Sequence, residues 1–204
     1  RGPARRGPGA KRPAGAKRPS GEDVAAAKAR LQELCAEAPF RSGVFTGAAL
    51  RQDIEAAAVT VELLNSAVDP ASMGAGVLNG KWKLLYSTGD CLPGGALGPF
   101  IGEVTQALNV AGRTHICRAS YMFGLFCMEW TSDYTVTGNA EWQLPAEDWV
   151  PVLFGIRFSI ISFSNDFGVT WRMSYTDPDF RVLRTETFGP KGISRDLYVL
   201  AKAD

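Results

Sequence analysis

The sequence contains one histidine, His115, in 204 residues. A Ser-His-Asp triad would depend on this residue, but the chain has no G-x-S-x-G motif, and His115 lies in an alternating, strand-like run. Cys117 would face the same side of a strand, yet the pair lacks a third residue to orient it. We therefore expect no catalytic residue and no enzymatic activity.

Ligands for a metal ion are also too few. The four cysteines, Cys35, Cys91, Cys117 and Cys127, form no C-x-x-C pair, and one histidine does not complete a cluster. We expect no metal site and interpret the cysteines as buried thiols in a reducing compartment. A bridge between Cys117 and Cys127 across a hairpin remains the alternative. Apolar runs stay well short of the roughly 18 residues that a membrane-spanning helix needs, so none is expected.

Acidic residues are missing from the first 19 positions, which carry seven of the 22 lysines and arginines. The rest of the chain holds 15 basic against 21 acidic residues, a balance that argues against a nucleic-acid-binding domain. Residues 1–20 are mostly Gly, Pro, Ala, Lys and Arg and cannot fold alone. We interpret them either as retained targeting sequence or as an extended arm that binds a partner. Its partner-binding residues would be Arg5, Arg6, Lys11, Arg12, Lys17 and Arg18.

Residues 21–77 show the periodicity of two amphipathic helices. Ser20 and Asp23 have the spacing of a capping box at the first helix, which Pro39 ends. Thr46 is placed to cap the second helix. Apolar residues recur at helical spacing along both segments: Val24, Ala27, Leu31, Leu34 and Ala38, then Leu50, Ile54, Ala57, Val61, Leu64 and Val68.

From residue 78 to 204 the apolar period changes to two, which predicts strands and an antiparallel β-barrel. The predicted strands are 80–87, 103–110, 113–120, 123–131, 133–137, 151–164, 168–176, 180–186 and 196–202. A turn around Asn165 to Gly168 would join two of them. The glycines near Gly94 lack phosphate-loop spacing and suggest a lid at the barrel mouth.

The first strand opens with Gly80, one residue, and Trp82, a pattern typical of small barrels that hold one apolar ligand. Gly80 would leave room for the indole, and Trp82, Leu84 and Tyr86 would share one face. Aromatic side chains on the strands either fill a core or line a cavity, and both hypotheses stay open. The candidate ligand-binding residues are Trp82, Leu84, Tyr86, Phe158, Trp171, Met173 and Tyr175.

A charged cluster comes next, with Asp177, Arg181 and Arg184. The two arginines point to opposite faces of a strand, so one could lie over Trp82 in a cation–π contact and the other could pair with Asp177 or Asp179. The alternative is a surface turn with solvated charges.

Three blocks resemble the plastid lipid-associated protein family, also called fibrillins or plastoglobulins, which is similar to the lipocalins. They are Leu78 to Ser87, Ile101 to Gln106, and Tyr175 to Arg184 with Leu197 to Lys202. The resemblance implies a lipocalin-like barrel, with Gly80 and Trp82 at its base beside Asp177, Arg181 and Arg184. It also implies a plastid protein on the stromal side, peripheral to the thylakoid or a plastoglobule, with no covalent cofactor.

Two functions are consistent with this resemblance and stand as hypotheses. In the first, the barrel binds or organises an apolar ligand, an isoprenoid, carotenoid, quinone or acyl lipid. In the second, the protein is a non-catalytic subunit that docks on photosystem or light-harvesting proteins. That docking would use the basic arm and a loop at 185–195, where the sequence departs from the family pattern by placing Thr185 after Arg184.

Overall fold

The computed structural model of the chain describes residues 20–65, 69–97, 99–145, 149–159, 168–189 and 192–203. The basic arm, Val68 and the predicted turn around Asn165 lie outside these residues. The described residues form a helical segment and a large sheet.

The helical segment begins as the sequence predicts. Helix α1 spans Gly21–Glu37, α2 spans Ala48–Leu63, and the short α3 spans Ala75–Leu78. The capping box is confirmed, because the Asp23 amide donates to the Ser20 hydroxyl and the Ser20 amide donates to the Asp23 carboxylate, at 3.2 and 2.9 Å. Single 3-10 turns lie at Pro39–Arg41, Pro70–Ser72, Leu92–Gly94 and Met122–Gly124.

The predicted cap of α2 is wrong. Gly47 occupies the N-cap position and makes no side-chain hydrogen bond, while the Thr46 hydroxyl donates to the Ser42 carbonyl at 2.7 Å. That bond closes the preceding turn, so the hydroxyl is not free to cap the helix.

Thirteen strands come after the helices in the described residues. They are β1 (Gly80–Ser87), β2 (Ala96–Leu97), β3 (Phe100–Ile101), β4 (Glu103–Asn109), β5 (Thr114–Tyr121), β6 (Phe126–Asp133), β7 (Thr135–Gly138), β8 (Glu141–Leu144), β9 (Val150–Leu153), β10 (Ile156–Arg157), β11 (Gly168–Thr176), β12 (Phe180–Gly189) and β13 (Gly192–Lys202).

Eleven of these strands form one antiparallel sheet in the order β10-β9-β6-β5-β4-β1-β13-β12-β11-β8-β7, which curls into a half-barrel. The mainly β, lipocalin-like fold with helices before it is thereby confirmed. β2 and β3 pair only with each other.

Three strand predictions need correction. The predicted strand 151–164 is broken at Phe154 and Gly155, which form the turn between β9 and β10. Strands β2, β3 and β8 were not expected. The predicted loop at 185–195 is instead the end of a long hairpin, in which Thr185 pairs with Asp196 and Gly189 with Gly192.

Two buried clusters share the sheet. The inner cluster lies on the concave side and contains all five tryptophans of the chain, which are 0–3% exposed: Trp82, Trp130, Trp142, Trp149 and Trp171. The outer cluster joins the convex side to α1 and α2 through residues such as Leu31, Ile54, Phe180 and Val199. The helices therefore belong to the same folded unit as the strands they cover.

A β-bulge in each of two strands changes which face a side chain occupies. The register of β1 shifts between Leu84 and Tyr86, and that of β11 shifts between Met173 and Tyr175. Because one extra residue inverts the alternation, Leu84 and Met173 lie in the inner cluster while both tyrosines lie in the outer one. The prediction that Tyr86 shares a face with Trp82 is therefore wrong.

The four cysteines are free. Cys117 lies opposite Trp130 and belongs to the inner cluster, while Cys127 lies opposite Ser120, three positions further along β5. Positions an odd number of residues apart on a strand face opposite sides of the sheet, so these two thiols are not placed for a bridge.

Replacing Ile54 by alanine should lower the free energy of unfolding by about 2–5 kcal/mol, because its fully buried side chain fills the space between α2 and the sheet. Urea unfolding followed by tryptophan fluorescence measures the loss. Val59→Ala is the control on the same helix, since Val59 is 41% exposed, and should change stability far less. Equal losses in the two variants would contradict the assigned packing face.

Candidate functional site

The closed end of the half-barrel, which we call the base, is built on a stacked cation. The Arg181 guanidinium lies 3.6 Å from the centre of the Trp82 ring, and both side chains are 0–2% exposed. Arg181 Nη2 and the Trp82 indole N–H both donate to the Leu78 carbonyl, at 2.7 and 3.2 Å. The predicted placement of one arginine over Trp82 is confirmed. Burial lowers the pKa of Arg181 to about 9, so the group remains protonated at neutral pH.

A second cation borders the same ring. Lys202 Nζ lies 4.5 Å from the Trp82 ring centre and donates to the Asn79 carbonyl. Gly80 has a φ of +110°, and a Cβ there would lie 3.0 Å from Lys202 Nζ. The glycine thus makes room for the lysine and supplies a left-handed backbone, rather than making room for the indole.

Arg184 and Asp177 serve the helical side instead of the base. Arg184 forms ion pairs with Glu55, at 2.6 Å, and with Glu62, at 2.7 Å, so its predicted pairing with Asp177 or Asp179 is wrong. Asp177 accepts from Lys28 of α1 at 2.8 Å and from the Tyr175 hydroxyl at 2.6 Å. These contacts fasten both helices to the hairpin between β11 and β12.

The interior above the base is lined by aromatic side chains in direct contact. The His115 ring meets those of Trp171 and Trp130 edge-on, with centres 4.6 and 5.4 Å apart. Of the predicted ligand-binding residues, Trp82, Leu84, Trp171 and Met173 lie in this interior. Tyr86 and Tyr175 face the helices. Phe158 comes directly after β10, half-buried, and belongs to neither cluster.

Polar side chains interrupt this apolar lining, and four of them lie toward the base. Within the described residues, no hydrogen-bond partner is found for Gln106 Nε2, Trp130 Nε1, Arg181 Nε or either nitrogen of His115. All four side chains are 0–2% exposed. Burial, together with the positive charge of Arg181, lowers the pKa of His115 to about 3, so its imidazole is neutral. Sequence reasoning missed Gln106 and Trp130, because an alternating strand does not reveal which polar residue lacks a partner.

The predicted lid corresponds to a flap, residues 91–97 and 99–102, at the opposite end of the sheet, which we call the mouth. It contains the turn Leu92–Gly94 and the hairpin of β2 and β3, and Leu92 and Leu97 pack on the inner cluster. The Gly95 carbonyl accepts from the Tyr121 hydroxyl at 3.1 Å, which fixes the flap to β5.

Bulky apolar side chains project from two neighbouring turns at the mouth. Met122 and Phe123 join β5 to β6, and Phe154 joins β9 to β10. These three side chains are between 69% and 109% exposed. Their backbones have φ of +49°, +59° and +49°, a left-handed conformation that is unusual for large side chains. The available sequence signal was a large apolar residue where a hairpin turn normally has Asn, Asp or Gly.

Neither a metal cluster nor a membrane helix is found in the part of the chain that the structure describes. No group of three or more His, Cys, Asp or Glu side chains there could hold a metal ion. No helix in the same residues is long and apolar enough to cross a membrane.

A curled antiparallel sheet, closed at its base by an arginine stacked on a G-x-W tryptophan and preceded by two helices, defines a lipocalin-like half-barrel protein. Residues 25–116 match the model of the PAP_fibrillin family, in agreement with the resemblance seen in the sequence. The blocks at Leu78 and Ile101 lie inside the matched segment. This is a family of plastid lipid-associated proteins, and the match supports that class for the chain. No curated protein and no solved structure matches it.

Asp177→Asn should make the protein less stable at neutral pH and less sensitive to acid. Burial alone would raise the pKa of Asp177, but hydrogen bonds from Asp179, Lys28 and Tyr175 hold it below its usual value. A lowered folded-state pKa gives stability that is complete above the unfolded pKa, about 3.9, and is lost as the pH falls through the folded value.

Urea unfolding of the wild type and the variant at several pH values measures this effect. The difference in unfolding free energy should be constant between about pH 7 and pH 5 and should narrow below about pH 4. Asp53→Asn, an exposed carboxylate on α2, is the control and should give little difference at any pH. A difference for Asp177→Asn that stays constant down to pH 3 would contradict the assigned ion pair.

Proposed function

We propose that this protein is a plastid lipid-associated protein that rests on the surface of a lipid phase, a thylakoid membrane or a plastoglobule, on the stromal side. There it organises apolar lipids such as isoprenoids, carotenoids, quinones or acyl lipids. The proposal is supported by the family match and depends on one observation, the apolar side chains displayed at the mouth. We call these residues the apolar rim: Met122, Phe123, Leu125, Phe154 and Ile156.

The rim is one continuous surface. The Phe154 amide donates to the Leu125 carbonyl at 2.9 Å, and Phe126 pairs with Leu153, so the two turns stand side by side. Leu125 and Ile156 are 47% and 63% exposed and extend the patch beyond the three left-handed residues. An exposed cluster of large apolar side chains favours a lipid or protein contact over solvent.

The strained backbone of the two turns supports a functional role for the exposed side chains. A left-handed conformation costs a non-glycine residue on the order of 1 kcal/mol, and three bulky residues adopt it in these two turns. This backbone conformation directs the three side chains away from the sheet, so they do not contribute to the core. Burying one such side chain in an apolar phase would return about 1.5–3 kcal/mol.

The alternative hypothesis, docking on photosystem or light-harvesting proteins, is favoured by no observation on the described residues. Its basic arm lies outside them, and its loop is a paired hairpin. The two hypotheses differ in the surface they use, so one experiment separates them.

The double variant Phe123→Ser/Phe154→Ser should bind neutral lipid at least tenfold more weakly than the wild type, because two large apolar contacts are removed. Flotation with uncharged galactolipid vesicles and with triacylglycerol droplets measures binding of the full chain. Uncharged lipid removes the attraction between anionic headgroups and the basic arm, so the rim is tested alone.

Val59→Ser is the matched control, because Val59 is also exposed but lies on α2. It should bind as the wild type does. Wild-type protein that floats with neither lipid, or a double variant that floats equally well, would refute the rim as the contact surface. Recovery only with photosynthetic complexes would then favour the alternative.

A further inference from the structure

The interior polar groups near the base need partners that the described part of the chain does not supply. Gln106 Nε2, Trp130 Nε1 and Arg181 Nε can only donate hydrogen bonds, and none has an acceptor among these residues. A buried donor without an acceptor costs about 1–3 kcal/mol, and native structures rarely collect several in one place. Such a cluster indicates a missing acceptor.

These donors form one patch. Trp82 pairs with Gln106, Gln106 pairs with Cys117, and Cys117 pairs with Trp130, so the four residues lie in one row across β1, β4, β5 and β6. Arg181 lies over the first residue of this row. The His115 ring touches that of Trp130 at its other end.

The charge in the patch is positive and has no counter-ion in the described interior. Arg181 is 2% exposed, and its Nη2 donates to the carbonyls of Leu78 and Val77, which are neutral. A buried cation that faces neutral carbonyls and a ring leaves a favourable site for negative charge. The complementary group is an oxygen that accepts several hydrogen bonds and carries full or partial negative charge.

We propose that the interior near the base binds the acceptor oxygen of an amphipathic ligand, a carboxylate or a carbonyl on an apolar body, held by Gln106, Trp130 and Arg181. The ligand's apolar part extends toward the mouth. This site does not depend on lipid docking, because no residue of the apolar rim takes part in it.

The wall between this patch and the mouth has small side chains. Val104 pairs with Ala119 and Gln106 with Cys117, and all four side chains face the inner side. A cleft of about 230 Å³ at the mouth is lined by Leu84 and Val104 of the inner cluster, by Phe40 and Ile101, and at its edge by the charged residues Arg41 and Glu103. An apolar chain that runs along β4 inward from this cleft reaches Gln106 two residues after Val104.

The test uses the delipidated full chain and cis-parinaric acid, a polyene carboxylic acid whose fluorescence rises in apolar surroundings and which accepts energy from tryptophan. The five buried tryptophans make quenching of their emission a readout of binding to the half-barrel, and the donor variants below assign that binding to the interior. Saturable quenching at low micromolar acid is expected. The methyl ester, titrated in parallel, distinguishes the sources of the oxygen: preference for the acid assigns a carboxylate, and equal binding assigns a carbonyl.

Two variants each remove a single donor. Gln106→Leu keeps the side-chain volume and removes Nε2, and Trp130→Phe keeps an aromatic ring and removes Nε1. Each should weaken binding at least tenfold, the loss expected for one hydrogen bond to a charged or strongly polar oxygen. Gln143→Leu makes the same change at an exposed position on β8 and should leave affinity unchanged.

Melting curves establish that each variant is folded before it is titrated, and having two variants keeps the test decisive if one fails to fold. An unchanged affinity in a folded Gln106→Leu or Trp130→Phe protein would overturn the site. So would the absence of saturable quenching in the wild type, which would mean that bound water alone satisfies these donors. Flotation on neutral vesicles should be the same for these variants and the wild type, so failure here is distinct from failure of lipid docking.

Discussion

The contact between Arg181 and Trp82 is the constraint on which the half-barrel depends. It joins residues that are far apart in sequence, one at the start of β1 and one in β12, and it brings α3 with them through the Leu78 carbonyl. A desolvated cation–π pair contributes about 2 kcal/mol, and the shared carbonyl satisfies two donors at once. This contact holds the base together although the first and last strands of the sheet do not pair with each other. The side chains at the mouth are not needed for that closure.

The two bulges explain how one sheet serves two cores. Without the shift after Leu84, Tyr86 would point into the interior and would be lost from the outer cluster that packs on the helices. The same shift in β11 directs Tyr175 to the outer cluster, where its hydroxyl meets Asp177 and, through it, Lys28 of α1. The helices are therefore packed and hydrogen-bonded to strands whose other residues fill the interior.

Local patterns in the sequence predicted what depends on local physics. The capping box and the strands 80–87 and 168–176 follow from spacing and alternation, and alternation placed Arg181 and Arg184 on opposite faces without showing which of them lies over Trp82. The sequence pattern gave wrong predictions where the position of a side chain depends on residues far away in sequence. A bulge is set by packing on both faces of the sheet, so alternation placed Tyr86 on the wrong face. The carboxylates that pair with Arg184 lie on α2, far from Arg184 in sequence, so the pattern of β12 alone did not indicate them.

The candidate site shows the same division. The sequence indicated that Trp82, Trp171 and Met173 could face one interior, because alternation is a property of each strand. It did not show that Gln106 lacks a partner, since an unsatisfied donor is defined only by everything around it. Nor did it mark Phe123 and Phe154 as exposed, because a large apolar residue in a strand-like run is normally buried.

The chemistry of the half-barrel changes along its axis. The base holds two cations, Arg181 and Lys202, beside carbonyl groups, whereas the mouth ends in the apolar rim and a cleft with Leu84 and Val104 in its wall. If the protein rests on a lipid phase by its rim, as proposed above, the base at the opposite end of the sheet faces water. A ligand with an oxygen at one end and an apolar body fits the same axis, since its head would meet the donors near the base while its body points to the rim. The two proposals therefore require one orientation of the protein, although each stands on different residues.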